Sequence, residues 1–369
     1  MSLLSGKMPA EWAEHAACFM AWPHKKTIWR KGAILAQKQV AAVALAIAEH
    51  EPVRMLVIME ELPAALQALP PGCGVELIPA AYDDIWLRDS GPSFVVSGGE
   101  LGAVEWFFNG WGSGEEFGID LKVENAVSGI IARIAGVAPE RRYSCSAVLE
   151  GGSFHVDGQG TVVTTEECVL NANRSNAAFP VRTRSALEAI FREYLGAHNV
   201  IFLPRGVVGD EDTNGHVDNL CTFVKPGHVV LTWPDDETSA QHAVSRQASE
   251  ILTAAGIVVH RLVHPSPTMF YSQDDVDSLV PLNRTSGQEL PLRKAGTPLA
   301  ASYINYYLCS GSRAVVMPRF GLPTDQVAAD QLQALFPHAR IVQVDAREIL
   351  LGGGNIHCIT QQVPQKMAT

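Results

Sequence analysis

The sequence lacks any pair of cysteines in a Cys-x-x-Cys spacing, although seven cysteines are scattered along its 369 residues. An odd, dispersed set of this kind fits neither a disulfide framework nor a zinc ribbon, and it is typical of a reducing compartment. Long apolar runs are missing as well, because none reaches the roughly 18 residues that a membrane span needs. The N-terminus has no signal-peptide pattern. Together these absences predict a cytoplasmic protein without a membrane partner.

Charged residues are scarce, at 18% of the chain, and acidic residues outnumber basic ones to give a net charge of -11. An acidic balance disfavours binding to nucleic acid or to an anionic membrane surface, and it is compatible with a small cationic substrate. Hydrophobic residues make up 47%, which is typical of a compact protein that buries a large core. No low-complexity linker interrupts the chain, so residues 1–369 are predicted to form a single domain.

The spacing of apolar residues switches repeatedly between helical and strand patterns. Helical spacing predicts helices at about 33–50, 62–69, 182–196, 238–255 and 325–335. β-Branched runs and alternation predict strands at 53–59, 75–79, 93–96, 153–156, 161–164, 199–203, 221–225, 228–232, 256–262, 302–308, 314–317 and 341–344. The order strand, helix, strand, polar loop, strand recurs about five times, roughly 60–90 residues apart, which predicts repeated α/β units around one core. The Pro-rich, polar segment 263–300 is predicted to be a loop near the mouth of a site.

Charged or nucleophilic residues stand at the same place in several of these units. They are Asp89, Glu150, His216 with Asp218, and Cys358. Taken singly, each has an ordinary explanation, such as a turn cap, a surface turn residue or a buried inert cysteine. In a ring of repeats, however, equivalent loops meet at one end of the axis. We therefore predict that these five side chains form one site.

Cys358 follows three consecutive glycines at 352–354. Such a backbone belongs where the main chain takes unusual angles or approaches another group closely. A cysteine combined with a histidine favours nucleophilic catalysis, with His216 as the proton shuttle. His357 is adjacent to Cys358, but alternation along the strand expected there points it away from the cysteine. We therefore expect His216, and not His357, to be the catalytic histidine.

The carboxylates predicted near Cys358 indicate the charge of the substrate. Negative charge raises the pKa of a thiol, which hinders an ordinary cysteine hydrolase. A guanidinium substrate removes this difficulty, because it is planar, cationic and matches carboxylates in a bidentate manner. Asp89 and Asp218 are predicted to hold the guanidinium, whose charge then favours the Cys358 thiolate.

Several segments of the sequence together resemble the agmatine deiminase family, a branch of the guanidino-group-modifying superfamily that includes arginine deiminase, dimethylargininase and amidinotransferases. The segments are Trp-Leu-Arg-Asp-Ser-Gly-Pro at 86–92, Glu-Gly-Gly at 150–152, Asn-Gly-His-Val-Asp-Asn at 214–219 and Gly-Gly-Gly-Asn-Ile-His-Cys-Ile-Thr-Gln-Gln at 352–362. Three more are Met-Pro-Ala-Glu-Trp at 8–12, Phe-Asn-Gly-Trp-Gly at 108–112 and Leu-Ala-Ala-Ser-Tyr-Ile-Asn at 299–305.

The resemblance implies a five-bladed α/β propeller (pentein) with pseudo-fivefold symmetry. It implies a hydrolase of linear amidines that converts agmatine to N-carbamoylputrescine and ammonia, a step of putrescine and polyamine biosynthesis from arginine. Cys358 would be the nucleophile of a covalent thiouronium intermediate, and His216 the general acid and base. Glu150 would contact a substrate nitrogen or orient the histidine, while Asp89 and Asp218 would hold the guanidinium. No metal or organic cofactor is implied, and a homo-oligomer, a dimer or larger, is expected.

The resemblance also assigns residues to the wall of the substrate pocket: Trp86, Asp212, Gly353 and Trp111. Gly110 and the Arg-containing segment 318–323 depart from the family pattern, which leaves the recognition of the distal end of the substrate open. The acidic run at 210–212 suits the ammonium group of agmatine. Arg205 and Arg319 are candidates to pair with the α-carboxylate of arginine.

Other functions remain open at this point. Arginine deiminase, peptidylarginine deiminase and amidinotransferase use the same nucleophile on other guanidino compounds. A metal-dependent hydrolase is a second class, in which His216, Asp218, Glu150 and Asp89 bind a divalent ion. A polyamine-binding protein without catalysis is a third.

Overall fold

The computed structural model describes residues 6–112, 118–283, 289–290 and 293–366. The strands within these residues are β1 His15–Ala21, β2 Val53–Val57, β3 Val75–Pro79, β4 Ser93–Ser97, β5 Glu100–Phe107, β6 Arg142–Val148, β7 Phe154–Val156, β8 Thr161–Thr165, β9 Asn199–Leu203, β10 Cys221–Lys225, β11 His228–Trp233, β12 Val258–Val263, β13 Leu282–Asn283, β14 Glu289–Leu290, β15 Tyr307–Leu308, β16 Ala314–Arg319, β17 Arg340–Asp345 and β18 Gln361–Pro364. The α-helices are α1 Ile34–Ala48, α2 Leu62–Ala68, α3 Leu87–Ser90, α4 Leu121–Ile134, α5 Glu166–Val169, α6 Arg184–Leu195, α7 Val217–Leu220, α8 Ala240–Ala254, α9 Gln273–Asp277, α10 Thr324–Leu335 and α11 Arg347–Leu351.

Five sheets of the described chain share one topology. Their strand orders are β18-β1-β2-β3, β4-β5-β6, β7-β8-β9, β10-β11-β12 and β15-β16-β17. In each sheet the first two strands are antiparallel, and the second and third are parallel. At least one helix connects each parallel pair, as such crossovers require. The predicted α/β class with repeated strand–helix–strand units is confirmed. Because β18 pairs with β1, both ends of the described chain lie in one sheet; the closed five-bladed ring itself stays a prediction.

The helices pack their apolar sides onto these sheets. The helical segment Arg30–Ala48, which includes α1, is long and apolar enough to cross a membrane by length and composition alone. In the fold, however, its Val40, Val43 and Ile47 are fully buried, and α1 contacts β2, β3, β16 and β17. The apolar side of this helix is therefore part of the core.

Most predicted elements match the observed ones to within a few residues, but three predictions need correction. The strand predicted at 302–308 forms only at Tyr307–Leu308, because the residues before it turn into the candidate site. The strand expected to begin at Cys358 begins at Gln361, and Cys358 itself lies in a turn. The predicted loop 263–300 contains α9, β13 and β14, and its residues 284–288 and 291–292 lie outside the described part.

Candidate active site

Five polar loops occupy corresponding places in the five sheets, each just before the first strand. They hold α3 before β4, the turn Gly151–Ser153 before β7, α7 before β10, residues 302–306 before β15 and residues 352–360 before β18. Four of these loops bring together the five side chains that the sequence indicated: Asp89, Glu150, His216, Asp218 and Cys358. All five are buried, so their interactions are little screened by water.

His216 lies at the centre of this group. Its Nδ1 is 3.8 Å from Asp89 Oδ1, and its Nε2 is 3.7 Å from Glu150 Oε2. Burial lowers the pKa of the imidazole, but the Asp89 carboxylate and Cys168 outweigh burial and raise this pKa well above its ordinary value. His216 therefore holds a proton that it can donate to a leaving group.

The Cys358 thiol is surrounded by acceptors and one amide donor. Its Sγ is 3.6 Å from Asp218 Oδ2 and 3.2 Å from Asn305 Nδ2. Burial, Asp218 and Asp89 raise the pKa of this thiol well above its ordinary value. Since the thiolate is the reactive form, a cation placed beside Asp218 and Asp89 would lower the pKa of this thiol and favour its reactive form.

Asp89 is oriented by two donors from different loops. Its Oδ1 accepts a hydrogen bond from Gly152 N at 2.9 Å, and its Oδ2 accepts one from Trp111 Nε1 at 2.9 Å. A Cβ atom at Gly152 would lie 2.7 Å from His216 Nδ1, 2.8 Å from Asp218 Oδ2 and 2.9 Å from Asp89 Oδ1. Only a glycine lets the backbone enter among these three groups, which explains the Glu-Gly-Gly sequence.

Glu150 is paired with a buried guanidinium. Arg174 Nε donates to Glu150 Oε1 at 2.8 Å, and Arg174 Nη2 donates to Thr213 O at 2.9 Å. Burial raises the pKa of Glu150, but Arg174 and His216 outweigh it and bring the pKa to about 2. Glu150 is therefore a carboxylate at neutral pH, and Arg174 supplies its counter-charge.

A cavity of about 440 Å³ opens onto Cys358. Its lining includes all four residues that the resemblance assigned to the pocket wall, Trp86, Trp111, Asp212 and Gly353. Other residues of the lining are Asp89, Asp84, Ile28, Ile119, Thr213 and Arg293. Trp86 donates from Nε1 to Asp84 Oδ2 at 2.9 Å. Arg293 forms an ion pair with Asp212, and its Nη2 donates to Gly352 O at 3.1 Å.

The three glycines before Cys358 each meet a different neighbour. A Cβ at Gly352 would lie 2.3 Å from the Trp29 ring, and one at Gly354 would lie 2.6 Å from the Trp86 ring. Gly353 has a positive φ of 114°, and a Cβ there would lie 2.7 Å from Asp212 Oδ2. The glycines thus allow the pocket wall and the Cys358 loop to pack directly against each other.

Comparison with known proteins identifies the family of this chain. The profile of the Porphyromonas-type peptidyl-arginine deiminase family matches residues 7–364. The chain belongs to this family. Agmatine deiminase of Stutzerimonas stutzeri is 41% identical over 366 residues, which cover 97% of this chain and 95% of that protein. Agmatine deiminase of Ectopseudomonas mendocina is 41% identical over 367 residues, with 97% and 95% coverage. A solved structure of agmatine deiminase of Enterococcus faecalis superposes with a TM-score of 0.88 at 32% identity, over 98% of this chain and 97% of that one.

Two residues that sequence reasoning missed complete the site of this peptidyl-arginine deiminase family member. Arg174 holds Glu150, but an arginine in a loop gave no signal of that contact. Asn305 is the polar residue of the fourth loop, and its Oδ1 accepts from His357 N at 2.9 Å while its Nδ2 meets the Cys358 thiol. The repeated pattern could have indicated Asn305. Four of the five corresponding loops had a predicted site residue, and the loop before β15, which contains Asn305, had none.

Some other expectations were wrong in this family member. His357 lies in a turn and not on the expected strand, and its buried ring places Nδ1 2.9 Å from Asp218 Oδ2. Arg205 and Arg319 are exposed, near Glu167 and Asp345 respectively, and neither lines the pocket.

The acidic run at 210–212 divides into different roles. Asp210 is buried and accepts hydrogen bonds from His216 N at 3.2 Å and from Thr213 Oγ1 at 2.7 Å, so it shapes the histidine loop. Asp212 is the residue of the run that lines the pocket.

The four residues of the alternative metal-hydrolase hypothesis, His216, Asp218, Glu150 and Asp89, do not form one group of potential ligands within the described residues. Within the described residues, the groups close enough to hold an ion are Glu150 with Cys168 and His216, and Glu11 with His155 and His357. Each group has a buried arginine on its carboxylate, Arg174 on Glu150 and Arg88 on Glu11. A guanidinium at that position repels a divalent cation, which disfavours the metal-hydrolase hypothesis.

Proposed function

We propose that the chain hydrolyses agmatine to N-carbamoylputrescine and ammonia. The observation that carries the proposal is a set of buried polar atoms without a hydrogen-bond partner among the described residues: Asp218 Oδ1, Glu150 Oε2, and His216 Nδ1 and Nε2. Buried polar atoms are normally paired, and leaving them unpaired is costly. A planar guanidinium carries several N–H donors in fixed directions, so it satisfies the two carboxylate oxygens while its carbon faces Cys358. The relatives named agmatine deiminase support the same activity.

Substrate binding activates the nucleophile. The guanidinium places a positive charge between Asp89, Asp218 and Cys358, which offsets the carboxylates that raise the pKa of the thiol. The thiol then releases its proton to solvent, and the thiolate is formed only when the substrate is in place. This order prevents the cysteine from reacting with other electrophiles in the empty site.

In the first half of the reaction, the Cys358 thiolate attacks the guanidinium carbon and forms a neutral tetrahedral adduct. Protonated His216 donates its proton to one terminal NH2 group of the adduct. The C–N bond breaks, ammonia leaves, and a cationic S-alkylthiouronium remains on Cys358. Glu150 stays a carboxylate beside His216 and orients its ring.

In the second half, neutral His216 takes a proton from a water molecule as the water oxygen attacks the same carbon. The second tetrahedral adduct collapses, the C–S bond breaks, and the hydroxyl proton passes to the departing sulfur. The products are the ureido compound, the Cys358 thiol and protonated His216, so the enzyme returns to its starting form.

The distal part of the pocket distinguishes substrates. Asp212 offers a carboxylate to the ammonium group of agmatine, which favours that substrate. Arg293, in the same wall and ion-paired with Asp212, favours a substrate with a carboxylate, and arginine is therefore the second candidate. The acidic residues of the pocket lining outnumber Arg293, which favours agmatine, with its distal amine, over arginine.

The experiment is a side-by-side measurement of ureido product and ammonia from agmatine, arginine and a peptidylarginine. We expect agmatine to give the highest kcat/KM, and Cys358→Ser to abolish turnover. Cys73→Ser is the matched control, because Cys73 is a free, partly exposed cysteine between α2 and β3. Turnover by Cys358→Ser at the wild-type rate would refute the mechanism, and a higher kcat/KM for arginine would reassign the substrate.

A cytoplasmic location and a homo-oligomeric state are further parts of this proposal. All seven cysteines are free, which supports a reducing compartment. Size-exclusion chromatography with light scattering tests the oligomeric state.

A further inference from the structure

His357 bridges two carboxylates beneath the candidate site. Its Nδ1 is 2.9 Å from Asp218 Oδ2, and its Nε2 is 2.9 Å from Glu11 Oε1. The ring is 1% exposed. An ionised carboxylate only accepts hydrogen bonds, so each ring nitrogen that faces one must carry a proton. A histidine held in this way carries both protons and a positive charge.

Glu11 is kept ionised by further donors. Arg88 Nη1 lies 3.3 Å from Glu11 Oε1, and His155 Nε2 lies 3.3 Å from Glu11 Oε2. His155 Nδ1 accepts a hydrogen bond from Phe223 N, so its proton lies on the nitrogen that faces Glu11. Burial raises the pKa of Glu11, but His357, His155 and Arg88 outweigh burial and hold it well below its ordinary value.

We propose that His357 is a positioning residue whose doubly protonated ring holds Asp218 as an oriented carboxylate, and that Glu11 is the buried counter-charge that keeps the ring protonated. The inference rests on the proposed function, in which Asp218 grips the guanidinium. It gives the Met-Pro-Ala-Glu-Trp segment near the N-terminus and the histidine next to the nucleophile a common task. It also leaves His216 as the acid and base, since His357 is already bonded at both nitrogens.

The charges of the ion-paired groups around Cys358 and His357 agree with this assignment. In this network four buried carboxylates, Glu11, Asp89, Glu150 and Asp218, face four basic side chains, Arg88, Arg174, His216 and His357. A guanidinium adds one positive charge to this balanced set, and loss of the Cys358 proton restores the balance. A neutral His357 would leave the empty site negative and would favour a proton on Asp218.

Other groups that face His357 do not reverse this conclusion. Arg88 Nε donates to His357 O at 3.4 Å, the His155 ring centroid lies 6.2 Å away, and Cys358 is the adjacent residue. Burial and Arg88 lower the pKa of His357, whereas Glu11 and Asp218 raise it, and the balance lies above the ordinary value.

The protonation state can be measured directly on the ligand-free wild-type protein by NMR with 15N-labelled histidine. At a pH of about 8.5, roughly two units above the pKa of free histidine, we expect a ring other than that of His216 to carry protons on both nitrogens, and its signals should disappear in His357→Gln. If the ring that disappears has one bare nitrogen, the proposal is wrong. This experiment needs no substrate, so it distinguishes failure of the inference from failure of the proposed function.

The consequence for Asp218 is tested by agmatine binding in a Cys358→Ala background, where the thiol does not titrate. A carboxylate stabilised by a cation binds the guanidinium above its pKa and loses the guanidinium as the pH falls through that pKa. Without the His357 cation the pKa rises, so His357→Gln should move the acid midpoint of binding upward by about 1–3 pH units. Glu11→Gln should instead lower the pKa of the His357 ring in the NMR experiment, because it removes the carboxylate that faces Nε2.

The matched control is Glu14→Gln, which removes a carboxylate that bonds Ser310 and Arg313 outside the site and should not move the midpoint. Looser packing alone would weaken binding equally at every pH, and that outcome would overturn the positioning role. If His357→Gln does not fold, Glu11→Gln and the wild-type NMR spectrum at pH values between about 5 and 8.5 still decide the question.

Discussion

Glu150 and Arg174 are both fully buried and make a direct ion pair, and this contact decides what Glu150 can do. With a pKa of about 2, Glu150 is ionised at any pH at which the enzyme would work. It therefore cannot donate a proton, and in the proposed mechanism it orients His216 and faces one side of the guanidinium. The ion pair of Glu150 with Arg174 stabilises the fold above the pKa of an unfolded glutamate, and this contribution is lost as the pH falls towards about 2.

Arg174→Gln should destabilise the fold and inactivate the site, because it leaves the Glu150 charge buried without a partner. Removing one member of a buried pair costs about 3–5 kcal/mol, measurable by chemical denaturation. Arg184→Gln is the control, since Arg184 pairs with Glu166 on the surface. This variant should change stability and activity very little. An Arg174→Gln variant as stable and active as the wild type would contradict this role.

Asn305 provides the neutral donor beside the nucleophile. Asn305→Asp replaces the amide that meets Cys358 Sγ at 3.2 Å with a carboxylate, which should raise the pKa of the thiol further. Losing a hydrogen bond to a charged group costs about 1.5–3 kcal/mol, so kcat should fall roughly 10–100-fold. Alkylation by iodoacetamide should slow in parallel, whereas Asn199→Asp at the exposed start of β9 should change neither. Faster alkylation of Asn305→Asp would show that the amide does not stabilise the thiolate.

At the scale of elements, the turn Gly151–Ser153 is packed through Gly152 against His216, Asp218 and Asp89 of the candidate site. Gly152→Ala should displace His216, Asp218 or Asp89 and reduce kcat/KM strongly, at a stability cost of about 1–3 kcal/mol for overpacking. Gly129→Ala in α4 is the control, because the nearest atom to its Cβ would lie at 3.7 Å. That change should stabilise the helix by roughly 0.5–1 kcal/mol. Wild-type activity in Gly152→Ala would show that the turn accommodates the added methyl group without displacing these side chains.

The elements that the sequence predicted well are those whose apolar periodicity matches their burial. Helix α1, with Val40, Val43 and Ile47 on its buried side, is an example. The segment before β15 was mistaken for a strand because its apolar residues are buried without being paired in a sheet. There, Ser302 Oγ donates to Asn219 O at 2.6 Å and accepts from Ile304 N at 3.1 Å. These side-chain bonds replace the strand ladder.

The sequence predicted those residues of the candidate site whose type indicates a chemical role. Cys358, His216 and the carboxylates stood in polar loops of a repeated pattern, and the structure places them together. The contacts of Arg174 with Glu150 and of His357 with Glu11 were not predictable, because they join distant parts of the chain. Local alternation predicted a strand at His357, but the residue lies in a turn, where the period of a strand does not apply.

At the scale of the whole molecule, the proposed mechanism makes the reactivity of Cys358 depend on the substrate. Burial, Asp218 and Asp89 raise the thiol pKa well above its ordinary value, and a bound guanidinium should lower it. Because kcat/KM reports the free enzyme and kcat the complex, the rising limb of kcat should lie at least about one pH unit below that of kcat/KM. Measuring both against pH for agmatine tests this. Coinciding limbs would mean that the thiolate forms without help from the substrate.

The most direct measurement of the central claim is to trap the covalent intermediate. Wild-type enzyme turning over agmatine is quenched in acid, and intact mass and peptide mapping follow. The expected adduct has the mass of agmatine less ammonia, sits on the peptide that contains Cys358, and is absent in Cys358→Ser. Turnover of agmatine with no adduct under any quench condition, or with an adduct on another residue, would contradict the claim that Cys358 is the nucleophile.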